Sequence, residues 1–181
     1  MDRLGPALIV LAILLLLYAG MALGWRARKR RQAGYSAAPE TPQDAGQLLL
    51  EAPMLYVATT PANQPLERLT IPGLAFRARG TFIVWEKGIT LSLDGERDVF
   101  VPLARIRSIG TSTYTIDRVV ESGGLVRLDW ISEITTTGDA TTADVESYAR
   151  ILDSGDSIRV LSTVQSLLQK PQLPMQEGSI A

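Results

Sequence analysis

Asp94, Glu96 and Asp98 stand at every second position of one short stretch, SLDGERDVF. Carboxylates spaced this way open a calcium-binding EF-hand loop, in which each turns an oxygen toward one ion. Such a loop also needs Gly at its sixth position and Glu at its twelfth. Here those positions hold Val99 and Arg105, so the pattern reads as a solvated hairpin turn. Paired carboxylates also run glycoside hydrolysis, but a hairpin tip has no cleft to raise a carboxyl pKa. The chain contains no His and no Cys. That excludes a thiol nucleophile, a Ser-His-Asp triad, a histidine base and a Cys/His zinc site. The glycines stand scattered at turns, and none forms a phosphate-cradling loop. The sequence therefore predicts no enzyme, no cofactor, no metal and no small-molecule substrate. A membrane-bound hydrolase working through carboxylates is the enzyme reading that stays open.

The basic residues offer binding rather than bond-breaking. Arg77, Arg79 and Lys87 form a thin candidate patch for lipid headgroups, with a solvated strand face as the plainer reading. A denser group follows Trp25: Arg26, Arg28, Lys29, Arg30 and Arg31 place five positive charges in six positions. Beyond Arg31 the chain carries twelve basic and eighteen acidic residues, a balance of −6, although the whole chain sums to −1. An acidic domain argues against nucleic acid, because phosphate contacts need clustered Lys and Arg.

What positions the basic group is the stretch just before it. Residues 4–25, LGPALIVLAILLLLYAGMALGW, hold no charge. As a helix they would reach about 33 Å, against a hydrocarbon core of about 30 Å. Their apolar residues fall on every side, as in a helix buried in protein or in lipid. Pro6 sits in the first turn, where its missing N–H is harmless, and Trp25 lies at the depth of an aromatic belt. Lys and Arg beside a span stay on the cytoplasmic side. The expected topology is a single pass through the plasma membrane, the N-terminus outside and the remainder cytoplasmic. Trp25 and the five basic residues would lie at the interface, where each basic residue contributes about 1 kcal/mol of attraction to anionic lipid. A cleaved signal peptide is the rival, with Gly20-Met21-Ala22 as a passable cut site. Its basic end would be the other one and its apolar run shorter. The absence of Cys suits a cytoplasmic domain without requiring one.

Residues 26–46 read as this basic collar followed by a flexible linker, since QAGYSAAPETPQDAG is small, polar and rich in Pro and Gly. A folded domain is expected over 47–170, with a disordered tail at 171–181. Within it, 54–60 reads as a strand and 48–50 as an apolar lead-in. Short strands are expected at 69–71 and, by alternation of Leu74, Phe76 and Ala78, at 74–79. The run TFIVWEK is rich in β-branched and aromatic residues, and Ile89 to Leu93 alternates cleanly. A two-residue turn at Asp94-Gly95 would set Asp98 opposite Leu91, on the apolar face. A loop of three or five residues sets Val99 or Val101 there, so the odd loop is expected. Further strands are expected at 105–109, 114–120, 125–131 and 147–152, with a turn at 121–124. A long loop or frayed edge hairpin is expected at 133–144. Asp156 or Ser157 should cap a closing helix whose apolar stripe is Val160, Leu161, Val164, Leu167 and Leu168. Lys170 would lie in its last turn and Pro171 would stop it. About seven strands must curl to hide one apolar face, and the helix can plug an open end. The fold class is mainly β.

This layout, with the run GTFIVWEKGITLSLDGERDVFVPLARIRSIG, resembles the bacterial pleckstrin-homology (PH-like) families: a partly open barrel of about seven strands capped by a C-terminal helix. Together with the anchor, the chain resembles actinobacterial single-pass membrane proteins with a cytoplasmic PH-like domain, some of them labelled transporters. The resemblance implies a non-enzymatic binding or scaffold module at the cytoplasmic face of the membrane. Its partners would be the bilayer and a membrane or cytoplasmic protein. An accessory subunit of a transport or export system is the alternative, because one pass forms no translocation path alone.

Overall fold

The computed structural model describes residues 4–32, 34–35, 38–112, 114–115, 118–119, 124–136 and 139–170. Helix α1 (Leu4–Gln32) is followed by strands β1 (Leu48–Pro61), β2 (Ala78–Trp85), β3 (Gly88–Leu93) and β4 (Val99–Pro102). A single 3-10 turn (Leu103–Arg105) leads to β5 (Ile106–Ser112). The short β6 (Tyr114–Thr115) and β7 (Arg118–Val119), the long β8 (Leu125–Thr136) and β9 (Asp139–Ile151), and helix α2 (Ser154–Gln169) follow.

Seven strands form one antiparallel sheet in the order β4-β3-β2-β1-β9-β8-β5, while β6 and β7 pair only with each other. The sheet curls without closing, since β4 and β5 are its two edges and only the 3-10 turn joins them. Its concave face collects Met54, Tyr56, Phe82, Val84, Ile89, Leu91, Val99, Val101 and Leu128, all nearly or fully buried. Val160, Val164 and Leu167 of α2 insert among them, with Leu161 and Leu168 at the margin. The stripe read from the sequence is the buried stripe, and it packs chiefly against β5 and β1. This is the mainly β, PH-like architecture expected from the sequence.

Local chemistry explains the details. Leu91 pairs with Val99 and Ile89 with Val101, so the odd loop keeps both valines on the buried face. Gly95 takes φ +81° in that loop, a backbone conformation closed to most L-residues. Gly80 is needed for another reason: a Cβ there would lie 2.0 Å from the Ser92 carbonyl oxygen. Pro53 sits within the central strand β1 without breaking it. Its carbonyl accepts from Leu152 on the β9 side, where the ladder with β9 begins only at Met54. The absent N–H therefore costs no ladder bond.

Several expectations need correction. The lead-in and the first strand are one continuous strand. Residues 69–71 are not a strand, although Leu69 and Ile71 are buried. Phe76 is 69% exposed and precedes β2 instead of alternating within it. The strand expected over 114–120 is replaced in its described part by the β6–β7 pair, and β8 joins β5 instead. Of the two alternatives at 133–144 the hairpin holds and the long loop does not: residues 133–136 and 139–144 continue the β8–β9 ladder, which pairs as far as Thr136 and Asp139, while 137–138 lie outside the described residues. Beyond the Trp130–Val145 pair this hairpin extends six more residues, about 20 Å. Asp153, not Asp156 or Ser157, caps α2, its side chain accepting from the Asp156 N–H. Lys170 is the C-cap residue. Residues 121–123 and 171–181 lie outside the described residues.

Candidate functional site

Ala7–Gly24 of α1 has a mean hydropathy of 2.6 and no buried residue. The large apolar side chains from Leu8 to Leu23 are half or more exposed. It is one helix long and apolar enough to cross a membrane, judged by length and composition. The helix does not stop at Trp25. It continues through Arg26, Arg28, Lys29, Arg30 and Arg31 to Gln32. Continuation as helix is the first departure from the expected linker.

The second departure is larger. Tyr35 forms an antiparallel bridge with Ile134 of β8, three residues after α1 ends. Its side chain packs against the core. Partial burial and then the nearby Glu67 carboxylate raise its hydroxyl pKa above the usual tyrosine value. Residues 38–47 then lie as a strap along the outer face of β2, β3 and β4. Ala38 and Ala45 are buried. Arg97 donates to the Ala38 carbonyl, and the Phe100 N–H donates to the Pro39 carbonyl at 2.8 Å. Thr41 Oγ1 and Thr90 Oγ1 are 2.7 Å apart, and Trp85 Nε1 donates to the same Thr90 oxygen. Lys87 closes the strap through Asp44 at 3.0 Å and through its N–H to the Ala45 carbonyl. The hydrogen bond that Lys87 Nζ donates to the Asp44 carboxylate, and then the ammonium charge, hold that carboxyl below the usual aspartate range. The strap explains why Thr90 and Phe100, on the face away from the main core, are 0% and 4% exposed. It also covers the β4 edge, which would otherwise offer free backbone groups.

Of the candidate headgroup residues, Lys87 stands apart from Arg77 and Arg79. Arg77 precedes β2, and Arg79 is its second residue. Lys87 lies in the turn after β2, eight residues and about 26 Å along the hairpin from Arg79, and it is engaged with Asp44. Arg79 instead neighbours the acidic β3–β4 loop, its carbonyl accepting from the Asp94 N–H.

One polar concavity escaped the sequence reading. Ala62, Arg107, Asp129, Trp130, Asp144, Val145 and Glu146 line a hollow of about 460 Å³ on the outer face of β5, β8 and β9. Its charged groups are engaged locally. Arg127 pairs with Asp129 at 2.9 Å and Arg107 with Asp144 at 3.5 Å. Ser108 donates to Asp129, and the Tyr148 hydroxyl donates to Glu146 at 2.6 Å. Burial first, then Glu146, pushes the Tyr148 hydroxyl well above the ordinary tyrosine range. The signal in the sequence was the i, i+2 spacing of Arg127 with Asp129 and of Glu146 with Tyr148, which puts each pair on one face of a strand. The hollow is shallow and its carboxylates are tied to partners, a poor setting for acid–base work. Among the described residues no group of three or more Asp, Glu, His or Cys could hold a metal ion.

Comparison with curated proteins finds no match. A family model described as Bacterial PH domain-like matches residues 35–164, from the Tyr35 bridge into α2. That span covers the strap, all seven strands of the sheet and most of the closing helix, and the chain belongs to this bacterial PH domain-like family.

Proposed function

We propose that this protein is a membrane-tethered, non-enzymatic binding or scaffold module, with α1 as a single-pass anchor and the PH-like domain on the cytoplasmic face. The observation that carries the reading is the continuity of α1. A helix whose span buries none of its apolar surface runs unbroken through five basic residues into a fold of the PH-like class. Lipid solvates the first part, the collar meets anionic headgroups, and the domain is held near the bilayer at high effective concentration for membrane partners. PH-like domains generally bind rather than catalyse, which supports the non-enzymatic reading. An accessory role in a transport or export system would use the same tether, with the transporter as its partner.

The test is fractionation of the full chain beside a fragment of residues 34–170. The full chain should stay with membranes through alkaline carbonate, and the fragment should be soluble without detergent. A full chain that washes free would sink the tether. For orientation, the chain lacks Cys, so Asp2→Cys and Ser179→Cys can be probed with an impermeant thiol reagent in intact cells. Labelling at position 2 alone is expected, and labelling at 179 alone refutes the orientation. Crosslinking from membranes then separates a transport complex from another partner.

A further inference from the structure

The joint between α1 and the domain is short and doubly held, so the anchor decides which end of the domain meets the bilayer. From the joint and the strand directions, we infer that the end of the sheet carrying the 62–77 loop lies against the membrane surface, with Leu66 and Phe76 touching it. This rests on the tethering reading above.

Three loops share that end. β1 ends at Pro61, opposite Val145 near the start of β9. β2 begins at Ala78 opposite Tyr56, so residues 62–77 close that end. β3 ends at Leu93 opposite Gly80, which brings residues 94–98 to the same side. The last described pair of the β8–β9 hairpin, Thr136 with Asp139, lies at that end as well. The chain coming from α1 enters at this end. Tyr35 is bridged to Ile134 near the hairpin tip, and Glu67 lies close enough to act on the Tyr35 hydroxyl. Ala38 is held by Arg97, which in turn lies beside Gly73 of the 62–77 loop. From Trp25 to Gln32 the helix adds only about 12 Å beyond the candidate span, while the headgroup layer itself takes several ångströms. The loop end therefore has little room to stand off.

The same loop carries two of the most exposed apolar side chains of the folded domain, Leu66 at 64% and Phe76 at 69%. Arg77 and Arg79 follow Phe76 in the chain. Asp94, Glu96 and Asp98 stand on the neighbouring loop, so the end as a whole is not positive. The contact is apolar and delivered by the anchor, not a headgroup pocket, and it should not depend on anionic lipid. Ile158 on α2 is equally exposed at 69% but follows the opposite end of β9, about 40 Å along the strand from the hairpin tip. It should face away from the bilayer.

Single cysteines at Leu66→Cys, Phe76→Cys, Ile158→Cys and Leu16→Cys, labelled with an environment-sensitive fluorophore, test this in the full chain. The chain is reconstituted into phosphatidylcholine vesicles with and without a third phosphatidylserine; lipids spin-labelled near the headgroup serve as quencher for the loop and Ile158 probes, and lipids spin-labelled near the end of the acyl chain serve as quencher for the mid-span Leu16 probe. The Leu16 probe should be quenched in both. The Leu66 and Phe76 probes should be quenched at least twofold more than the Ile158 probe, about equally in the two lipid mixtures. Loop probes quenched no more than Ile158, with Leu16 quenched, overturn this orientation and leave the tether intact. A loop signal that needs phosphatidylserine overturns the apolar contact in favour of headgroup binding. An unquenched Leu16 probe overturns the tether and the orientation with it. Leu66→Cys and Phe76→Cys report independently, so misfolding of one leaves the other to decide.

Discussion

Replacing Ser147 by Ala should destabilise the domain far more than the loss of one surface hydroxyl, because Ser147 is the middle of a buried chain with one allowed direction. Trp130 Nε1 can only donate, and it donates to Ser147 Oγ at 2.9 Å. At the other end the Leu74 carbonyl can only accept, and it accepts from the Tyr56 hydroxyl at 3.0 Å. Between them lie Thr59–Ser147 at 2.7 Å and Tyr56–Thr59 at 2.8 Å. Tyr56 spends its proton on Leu74, so Thr59 must donate to Tyr56 and Ser147 must donate to Thr59. Trp130, Ser147, Thr59 and Tyr56 are at most 4% exposed, so water cannot replace a missing partner. Ser147→Ala strands the indole N–H, at about 1–3 kcal/mol for a buried unsatisfied donor, and forfeits the bond to Thr59, at about 1 kcal/mol net. The expected loss is about 2–4 kcal/mol. Tyr56→Phe keeps the ring and strands the Thr59 hydroxyl, for about 1–3 kcal/mol. Both act on one chain, so the double variant should fall short of the sum by at least about 0.5 kcal/mol. Urea unfolding of the 34–170 fragment, with equal m-values, reads these differences. A Ser147→Ala loss under about 0.5 kcal/mol, or strict additivity, refutes the directed chain.

Other consequences can be checked on the same fragment. Starting it at residue 47 instead of 34 removes the strap and uncovers Phe100. This should cost about 2–4 kcal/mol from lost apolar burial and hydrogen bonds, and equal urea midpoints would show that the strap is not packed. Val164→Asp puts an unpaired charge at a fully buried site of α2 and should prevent folding, seen as loss of the cooperative transition, whereas Ile158→Asp should stay within about 0.5 kcal/mol. Burial raises the Tyr56 hydroxyl pKa above its unfolded value near 10. The unfolded state therefore binds fewer protons above that pH, and stability should fall as pH rises beyond about 10. Tyr56→Phe should flatten that slope in alkaline urea titrations, and an unchanged slope would count against the burial. In the full chain, changing the five collar charges to Gln should give mixed orientation by thiol labelling, and retained single orientation would locate the topology signal elsewhere.

The strands whose side chains alternate were legible because burial of one face leaves a period of two in the sequence. Ile89 to Leu93 is the clear case, and there a carboxylate kept off the apolar face was enough to fix the loop parity at Leu91–Val99. The stripe on α2 was legible for the same reason at a period of 3.6. Where side chains do not alternate, the reading failed. The β8–β9 hairpin beyond Trp130 is a Thr-rich ladder with little to bury, so its pairing rests on backbone hydrogen bonds that leave no apolar period. The β1 bulge at Val57 is similar. It changes the strand's parity and turns Thr59 inward to meet Ser147, and nothing in ATT distinguishes a bulged strand from a straight one.

The strap failed for a reason that bears on how the protein works. Residues 38–47 hold the domain mainly through their own backbone: the carbonyls of Ala38, Pro39 and Ala45 all accept from the sheet. Carbonyl acceptors belong to every residue type, so a segment that binds through them can be small, polar and rich in proline, which is also what a free tether looks like. The partners are equally inconspicuous: one arginine in a turn, one edge N–H and one lysine opposite Asp44. Yet the mechanical result is opposite. A free tether of fifteen residues would let the domain tumble and present any face to the bilayer. A strap anchored at Tyr35, Ala38, Thr41 and Asp44 fixes the domain within a few residues of the helix end. An orientation-dependent surface is useful only in the second case, so under the tether proposed above the same contacts that make residues 38–47 part of the fold would give the domain a defined membrane-facing side.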